Sequence, residues 1–463
     1  MVVVLPSFWS MAQLHTWWNP PLDAIVFAVM LGVALPRGLA RVTWRQVPIA
    51  IVAYLLGAAA AVGASMWLAN NDYWRIAGAV AFAVGVATTV ALRRLGPLGQ
   101  AAGTLAALGF IAVLVHPLPV EATVAFLGWM LIAACVAAVW AMAARAIAMS
   151  GPSSPVSPPK SRPKAPGSSG WSAWLRSLAP STRMSIQLGV AVAAAFAAAE
   201  LLDPSHLVWT VLTVLIVHSG NRGRGDVVWK GAQRAVGALA GTAVATLLAG
   251  LFSTGDNRAL VVIFAILILV SAVRDFGYVY WAAGITAALA FMYGYFGEAG
   301  SGLLLHRLLG VAVGTVIGVA SSWFILPVKT TDVVKVRVAT LLAAAGDLTT
   351  AIARGKPDPD AAQRLVTADH ELAFFDSTTA VARRLGVGRA RCLGDAVDHS
   401  HALARGLANT TDDVLSQTEY AELARQIGAA RRSLSSGEPV AALSELPLAT
   451  DVQAITTALA GRC

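Results

Sequence analysis

Two arginines in apolar surroundings are the residues of this chain best suited to chemistry. Gln233-Arg234 is followed by Gly237, Gly241 and Thr242, and His306-Arg307 by Gly310, Gly314 and Thr315. A guanidinium keeps its charge and presents N–H donors in a fork that fits a carboxylate. At the centre of a membrane helix it costs about 2.5–3.5 kcal/mol, so each arginine needs a partner or a duty. Glycines four residues apart share one helix face and let another backbone approach closely, which is how helices pack in lipid. The chemistry in view is recognition and passage of an anion.

Other groups flank the pair. Trp209, in a short apolar run, offers a ring on which an aromatic solute could stack. Arg222, Arg224, Lys230 and Arg274 stand at helix ends, where such cations anchor loops or guide an anion to a pathway. We therefore expect substrate contacts among Trp209, Arg222, Gln233, Arg234, Arg274 and Arg307. Glu200 and Asp203 are the expected proton acceptors, and Gly237, Gly241, Gly310 and Gly314 the packing positions. Asp395 and His399 have i,i+4 spacing beside Cys392, Asp398 and His401, but on a hydrophilic helix a solvated face is expected there rather than a metal site. Gly220 to Gly225 lacks the Lys-Ser/Thr ending of a phosphate loop, and no hydrolase motif stands out. The chain is expected to be no enzyme, with no cofactor.

The elements that must position these residues are membrane helices. Hydrophobic residues make up 57% of the chain and charged ones 13%, and the mean hydropathy is +0.67, outside the range of soluble globular chains. Five spans are expected before residue 150, near 22–36, 47–69, 74–92, 98–115 and 122–144. Six follow residue 180, near 184–202, 206–219, 231–252, 258–273, 277–296 and 303–326. Residues 1–18, with Trp9, Trp17 and Trp18, suit the membrane interface. Residues 150–180 are rich in Pro, Ser and basic residues and read as a disordered linker. The expected domains are thus a membrane half over 1–149, the linker, a second membrane half over 181–328, and a cytoplasmic helical domain over 329–463.

Residues 1–326 carry 19 Lys/Arg against 9 Asp/Glu, and residues 327–463 carry 15 against 16. The basic excess sits in the membrane part, which favours a topology signal over a nucleic-acid surface. Threading eleven spans places the N-terminus outside and the C-terminal domain in the cytoplasm, so the expected place is a bacterial inner membrane. Cys135, Cys392 and Cys463 define no disulfide framework.

Two levels of repeat are visible. Arg37-Gly38 and Trp44 recur as Arg222-Gly223 and Trp229, so the halves read as parallel copies, the first without its opening helix. Within the second half Trp209 precedes Arg234 much as Trp281 precedes Arg307, on helices running in opposite directions. That is an inverted three-plus-three repeat, and it places the two arginines near opposite membrane faces. In the first half, Ile49 and Phe126 occupy the positions of the two arginines. The short spans at 22–36 and 206–219, each preceded by proline, point to a central site.

Trp209, Asn221, Arg222, Gly223, Gln233, Arg234, Gly237, Gly241 and Thr242 together resemble the FUSC (fusaric acid resistance protein-like) family, also called the aromatic acid exporters. The resemblance implies an all-α polytopic inner-membrane transporter that exports aromatic or other small organic carboxylates. It also implies kinship with plant malate-type anion channels, in which two six-helix units pair around one pathway. The alternatives are an anion channel of the same fold and a non-transporting scaffold for envelope or signalling partners. Expected partners are the lipid bilayer and a small organic anion, with a homo-oligomer or an envelope protein as further partner, and no nucleic acid.

Overall fold

The computed structural model describes residues 3–39, 44–68, 72–115, 124–148, 178, 180–202, 207–219, 223–248, 252–273, 276–295, 301–356, 358–373, 375–376, 379, 388–408, 415–436, 446 and 448–460. Among them the regular structure is entirely helical. The chain divides into two compact units, Met1–Val328 and Lys329–Cys463.

The first unit contains α1 (Val4–Trp18), α2 (Leu22–Leu39), α3 (Val47–Leu68), α4 (Asp72–Ala91), α5 (Pro97–Val115) and α6 (Val124–Ala148). There follow α7 (Pro180–Leu202), α8 (Leu207–His218), α9 (Arg224–Leu248), α10 (Asn257–Val273), α11 (Tyr278–Tyr295) and α12 (Ser301–Phe324). Each of the eleven expected spans coincides with a helix from α2 to α12. In this unit five helical stretches are long and apolar enough to cross a membrane: Val47–Leu68, Arg75–Leu95, Gly128–Ile147, Pro180–Leu202 and Leu305–Phe324. Several others are apolar but shorter. The 12 residues of α8 extend only about 18 Å, well under the ~30 Å of a hydrocarbon core.

α1 departs from expectation. It packs on α2 and α6 as α7 packs on α8 and α12, so the first half does have its opening helix. Val4 and Ser7 lie against Gly32, and Trp140 Nε1–H donates to Ser10 Oγ at 3.0 Å. The hairpin between α1 and α2 therefore brings Val4 back toward the end of α2 that leads to Arg37. The start of α1 thus lies at the same end of α2 as Arg37.

Small residues set the closest helix approaches. A Cβ at Gly57 would fall 2.4 Å from the Ala106 carbonyl oxygen, and one at Gly109 2.5 Å from the Ala58 Cα, so α3 and α5 touch backbone to backbone. The core around them is Leu31, Leu35, Phe82, Leu105, Phe110 and Met130. The buried Tyr54 hydroxyl there donates to the Ala134 carbonyl at 3.2 Å.

The second unit holds α13 (Thr330–Ala353), α14 (Pro359–Ala373), α15 (Gly388–Ala408), α16 (Gln417–Ser436) and α17 (Ala449–Leu459). By length and hydropathy α13 could also cross a membrane. Its apolar stripe, Val334, Val338, Leu341, Leu342 and Ala345, is instead spent on the core shared with α14 to α17. Arg337 on it pairs with Glu371 of α14. His399 and His401 link helices rather than forming a solvated face: His399 Nδ1 lies 2.9 Å from an Asp451 oxygen, and the His401 nitrogens lie 2.6 Å from Asp369 and 3.2 Å from Asp376. No metal-binding group of three ligands occurs among the described residues. Cys392 is disulfide-bonded, which its sequence spacing did not reveal, and Cys135 is free.

Candidate solute site

The site is built where α8, α9, α11 and α12 meet. Gly241 of α9 abuts α11: a Cβ there would lie 2.2 Å from the Ala283 carbonyl oxygen and 2.8 Å from Thr286 Cβ. Gly314 of α12 abuts α8 in the same way, 2.5 Å from the Thr210 carbonyl oxygen and 2.8 Å from Thr213 Cβ. Adding 73 to Gly241, Thr210 and Thr213 gives Gly314, Ala283 and Thr286. The same addition turns Arg234 into Arg307 and Thr242 into Thr315. The two contacts are thus one contact made twice, and the inverted repeat read from the sequence is present in the packing.

That symmetry fixes the depth of the arginines. On the antiparallel pair α9 and α12, Gly231 lies against Thr315 Cγ2, 2.7 Å from where a Cβ would sit. From that level Arg234 is one turn along α9, and Arg307 is about two turns along α12 in the same direction. At 1.5 Å per residue they differ in depth by roughly 8 Å, one on each side of the repeat centre. They do not stand near opposite faces, as the sequence led us to expect, because the helices cross near their middles.

Both side chains are buried, Arg234 to 2% exposure and Arg307 to 1%. The guanidinium carbon of Arg307 lies 4.2 Å from the centre of the Trp209 ring, and Trp209 is itself 3% exposed. A desolvated cation over an indole contributes about 2 kcal/mol. One face of Trp209 is therefore taken by Arg307. No hydrogen bond or ion pair reaches Arg234 among the described residues, and its Nε is buried without a partner.

Threonines supply the rest. The hydroxyls of Thr210, Thr213, Thr242, Thr286 and Thr315 are buried and have no hydrogen-bond partner among the described residues. Threonines elsewhere bond back to their own helix, as Thr88 does to Val84, Thr104 to Gln100 and Thr246 to Thr242. An unsatisfied buried hydroxyl costs about 1–3 kcal/mol, so this zone calls for water or a polar solute. The arrangement offers fixed positive charge and hydroxyls to an anion.

Residues 192–346 match the model of a family described as fusaric acid resistance protein-like. That stretch, about a third of the chain, is similar to the family. No curated protein and no solved structure matches the chain. The match and the apolar helices together support a transporter-type membrane protein, and the matched region takes in both arginines, Trp209 and all five threonines.

Other expected residues of this domain lie apart from the pair. Glu200 is exposed and paired with Arg75. Gln233 is half-buried on α9, and Gly237 packs on Ala282 of α11. Gly310 is buried on α12. Lys230 donates to the Ser219 carbonyl at 3.1 Å and to Asp226 at 2.7 Å, which makes it a loop anchor. Arg222, Arg274 and Asp203, like most of the expected linker, lie outside the described residues.

The structure adds groups that the sequence did not single out. His218 is buried at the end of α8, its Nδ1 3.1 Å from the Val214 carbonyl and its Nε2 3.2 Å from Ser321 Oγ of α12. The only cue was its place at the end of an apolar run. Arg183 donates to the Leu326 and Pro327 carbonyls, and Gln187 Nε2 to Ile325 at 2.7 Å. With them Arg224, one of the expected helix-end cations, donates its backbone N–H to Val328 O at 3.1 Å and lays its guanidinium over Trp323. Together these clamp the end of α12, where Leu326 takes a left-handed φ of 47° before Pro327.

Proposed function

We propose that the protein is an inner-membrane exporter of small organic carboxylates, aromatic ones among them. The observation that carries this is the symmetric pair Arg234 and Arg307, buried on either side of the repeat centre among threonine hydroxyls without partners. Arg234 Nε and Arg307 Nε and Nη2 are buried donors with no hydrogen-bond acceptor among the described residues, so a carboxylate gains most where these two stand. Inverted repeats meeting at such a site are the plan of carriers that alternate access by rocking one repeat against the other. Glycine contacts between α9 and α11, and between α8 and α12, are the surfaces across which that rocking would occur.

In this scheme the arginine-rich loops face the cytoplasm, the second unit lies on that side, and α1 returns the N-terminus to it. The proton acceptor is then a matter of which titratable group faces the pathway. Glu200, engaged with Arg75 at the surface, is a weaker choice than the buried His218. The test is growth: cells lacking the protein should be inhibited by aromatic or aliphatic carboxylic acids that cells containing it tolerate. Equal tolerance across a broad panel of such acids would refute export.

A further inference from the structure

The two copies of the glycine contact differ one turn further along. On α8 His218 is buried, and a Cβ at Gly318 of α12 would lie 3.5 Å from its Cε1. Adding 73 to His218 gives Phe291, and adding it to Ala245 and Leu248 gives Gly318 and Ser321. In the α9–α11 copy these positions are dry, since Phe291 packs in an apolar cluster with Leu248 and Phe252. Packing alone therefore requires neither the histidine nor the serine.

The Val214 carbonyl can only accept, so His218 Nδ1, 3.1 Å away, carries a hydrogen. Nε2 then accepts from the Ser321 hydroxyl at 3.2 Å. That hydroxyl has a second acceptor in the Gly318 carbonyl at 2.9 Å. A proton taken from water at Nε2 turns the Ser321 hydrogen toward Gly318, and every donor keeps an acceptor. The added charge finds no counter-charge. α8 packs on α5, α7, α9 and α12, and the ionisable groups they hold at this end are Arg183 on α7 and Arg224, Asp226 and Lys230 on α9. Asp226 pairs with Lys230, and the imidazole bonds to no carboxylate among the described residues. A buried cation so placed is costly, and the cost is relieved when α8 and α12 part and water enters. We propose that His218 and Ser321 form a proton-operated latch, in which protonation of the imidazole opens the α8–α12 surface and admits solute to the arginines. The latch rests on the carrier reading above. In the topology of that reading this end is cytoplasmic, so carboxylic acid accumulating in the cell opens the way to its own export.

Val217 is buried beside Gly318, and adding 73 to it gives Ala290. Val217→Cys and Ala290→Cys, each in a full-length Cys135→Ser chain in phosphatidylcholine nanodiscs, are labelled with a cationic methanethiosulfonate. The ratio of the two labelling rates cancels the pH dependence of the thiol chemistry. It should rise about tenfold from roughly pH 8 to roughly pH 5.5, across the ordinary imidazole value of about 6.5. With His218→Gln added it should stay flat. Ser321→Ala, which removes only a hydroxyl, should raise the ratio already at the upper pH. A ratio independent of pH in the chain that keeps His218, or an equal rise in His218→Gln, would overturn the latch. No solute is present, so the latch can fail here while export stands, and a failure of export in the growth test leaves the labelling result unchanged.

Discussion

Arg307 lies over the face of Trp209, its guanidinium carbon 4.2 Å from the ring centre, with both residues almost fully buried. The indole face favours the charged guanidinium and fixes its orientation. Trp209→Leu should therefore slow flux about tenfold or more, in keeping with the ~2 kcal/mol such a contact supplies when desolvated. Trp209→Phe should lose less. Arg307→Lys should behave like a loss of function, since an ammonium cannot lie flat on a ring. Equal flux in all three variants would remove the stack from the mechanism.

Gly241 and Gly314 make the same backbone contact in the two inverted repeats. Alanine at either position would press on a carbonyl oxygen little more than 2 Å away, and overpacking of this kind costs about 1–3 kcal/mol. Gly241→Ala and Gly314→Ala should lower the thermal midpoint by similar amounts, whereas Gly63→Ala and Gly128→Ala, where nothing lies within 4 Å, should not. A large effect at only one of the first two would contradict their equivalence.

Eleven helices of the first unit were legible because long apolar runs broken by basic turns leave little choice of structure. The inverted repeat was legible from Arg-x-x-Gly-x-x-x-Gly-Thr alone, since Arg234 and Arg307 each precede glycines that must meet a neighbouring backbone. Their depth was not, because crossing points depend on which small residues meet, here Gly231 and Thr315. The packing of α1 was not legible either: the tryptophans of residues 1–18 masked the stripe of Val4, Ser7 and Met11 that it buries. The threonine hydroxyls carried no signal, because a threonine that bonds its own helix and one that does not are the same letter.

α16 opens on a reciprocal cap: Ser416 N–H and Oγ–H each donate to Glu419 Oε2 at 2.7 Å, and Glu419 N–H donates to Ser416 Oγ at 3.3 Å. These bonds favour the ionised carboxylate and hold Glu419 below its ordinary value. A carboxyl depressed in the folded state adds stability that is present above its unfolded value and lost as pH falls through the folded one. Glu419→Ala should thus lower the midpoint slightly at pH 7, and the difference should shrink as pH falls below the ordinary carboxyl value of about 4.3. A difference that does not shrink at all on acidification would mean that the carboxylate charge plays no part.

Sidedness has its own check. A disulfide at Cys392 is a bond of oxidising compartments, whereas the topology we propose from the arginine distribution has the second unit in the cytoplasm. Cations spread over many loops outweigh one bond, so alkaline phosphatase fused at either terminus should be inactive and a fluorescent protein there bright. Active phosphatase at the C-terminus would place the second unit outside and account for the disulfide.

The most direct measurement is uptake of a radiolabelled aromatic carboxylate into inside-out membrane vesicles containing wild type, Arg234→Ala, Arg307→Ala or the loop-anchor control Arg224→Ala. Loss of a charge-assisted hydrogen bond to the solute is worth about 1.5–3 kcal/mol. Uptake should therefore fall about tenfold or more in each of the first two variants and little in the control. Wild-type rates in both Arg234→Ala and Arg307→Ala would show that the central arginines do not meet the solute.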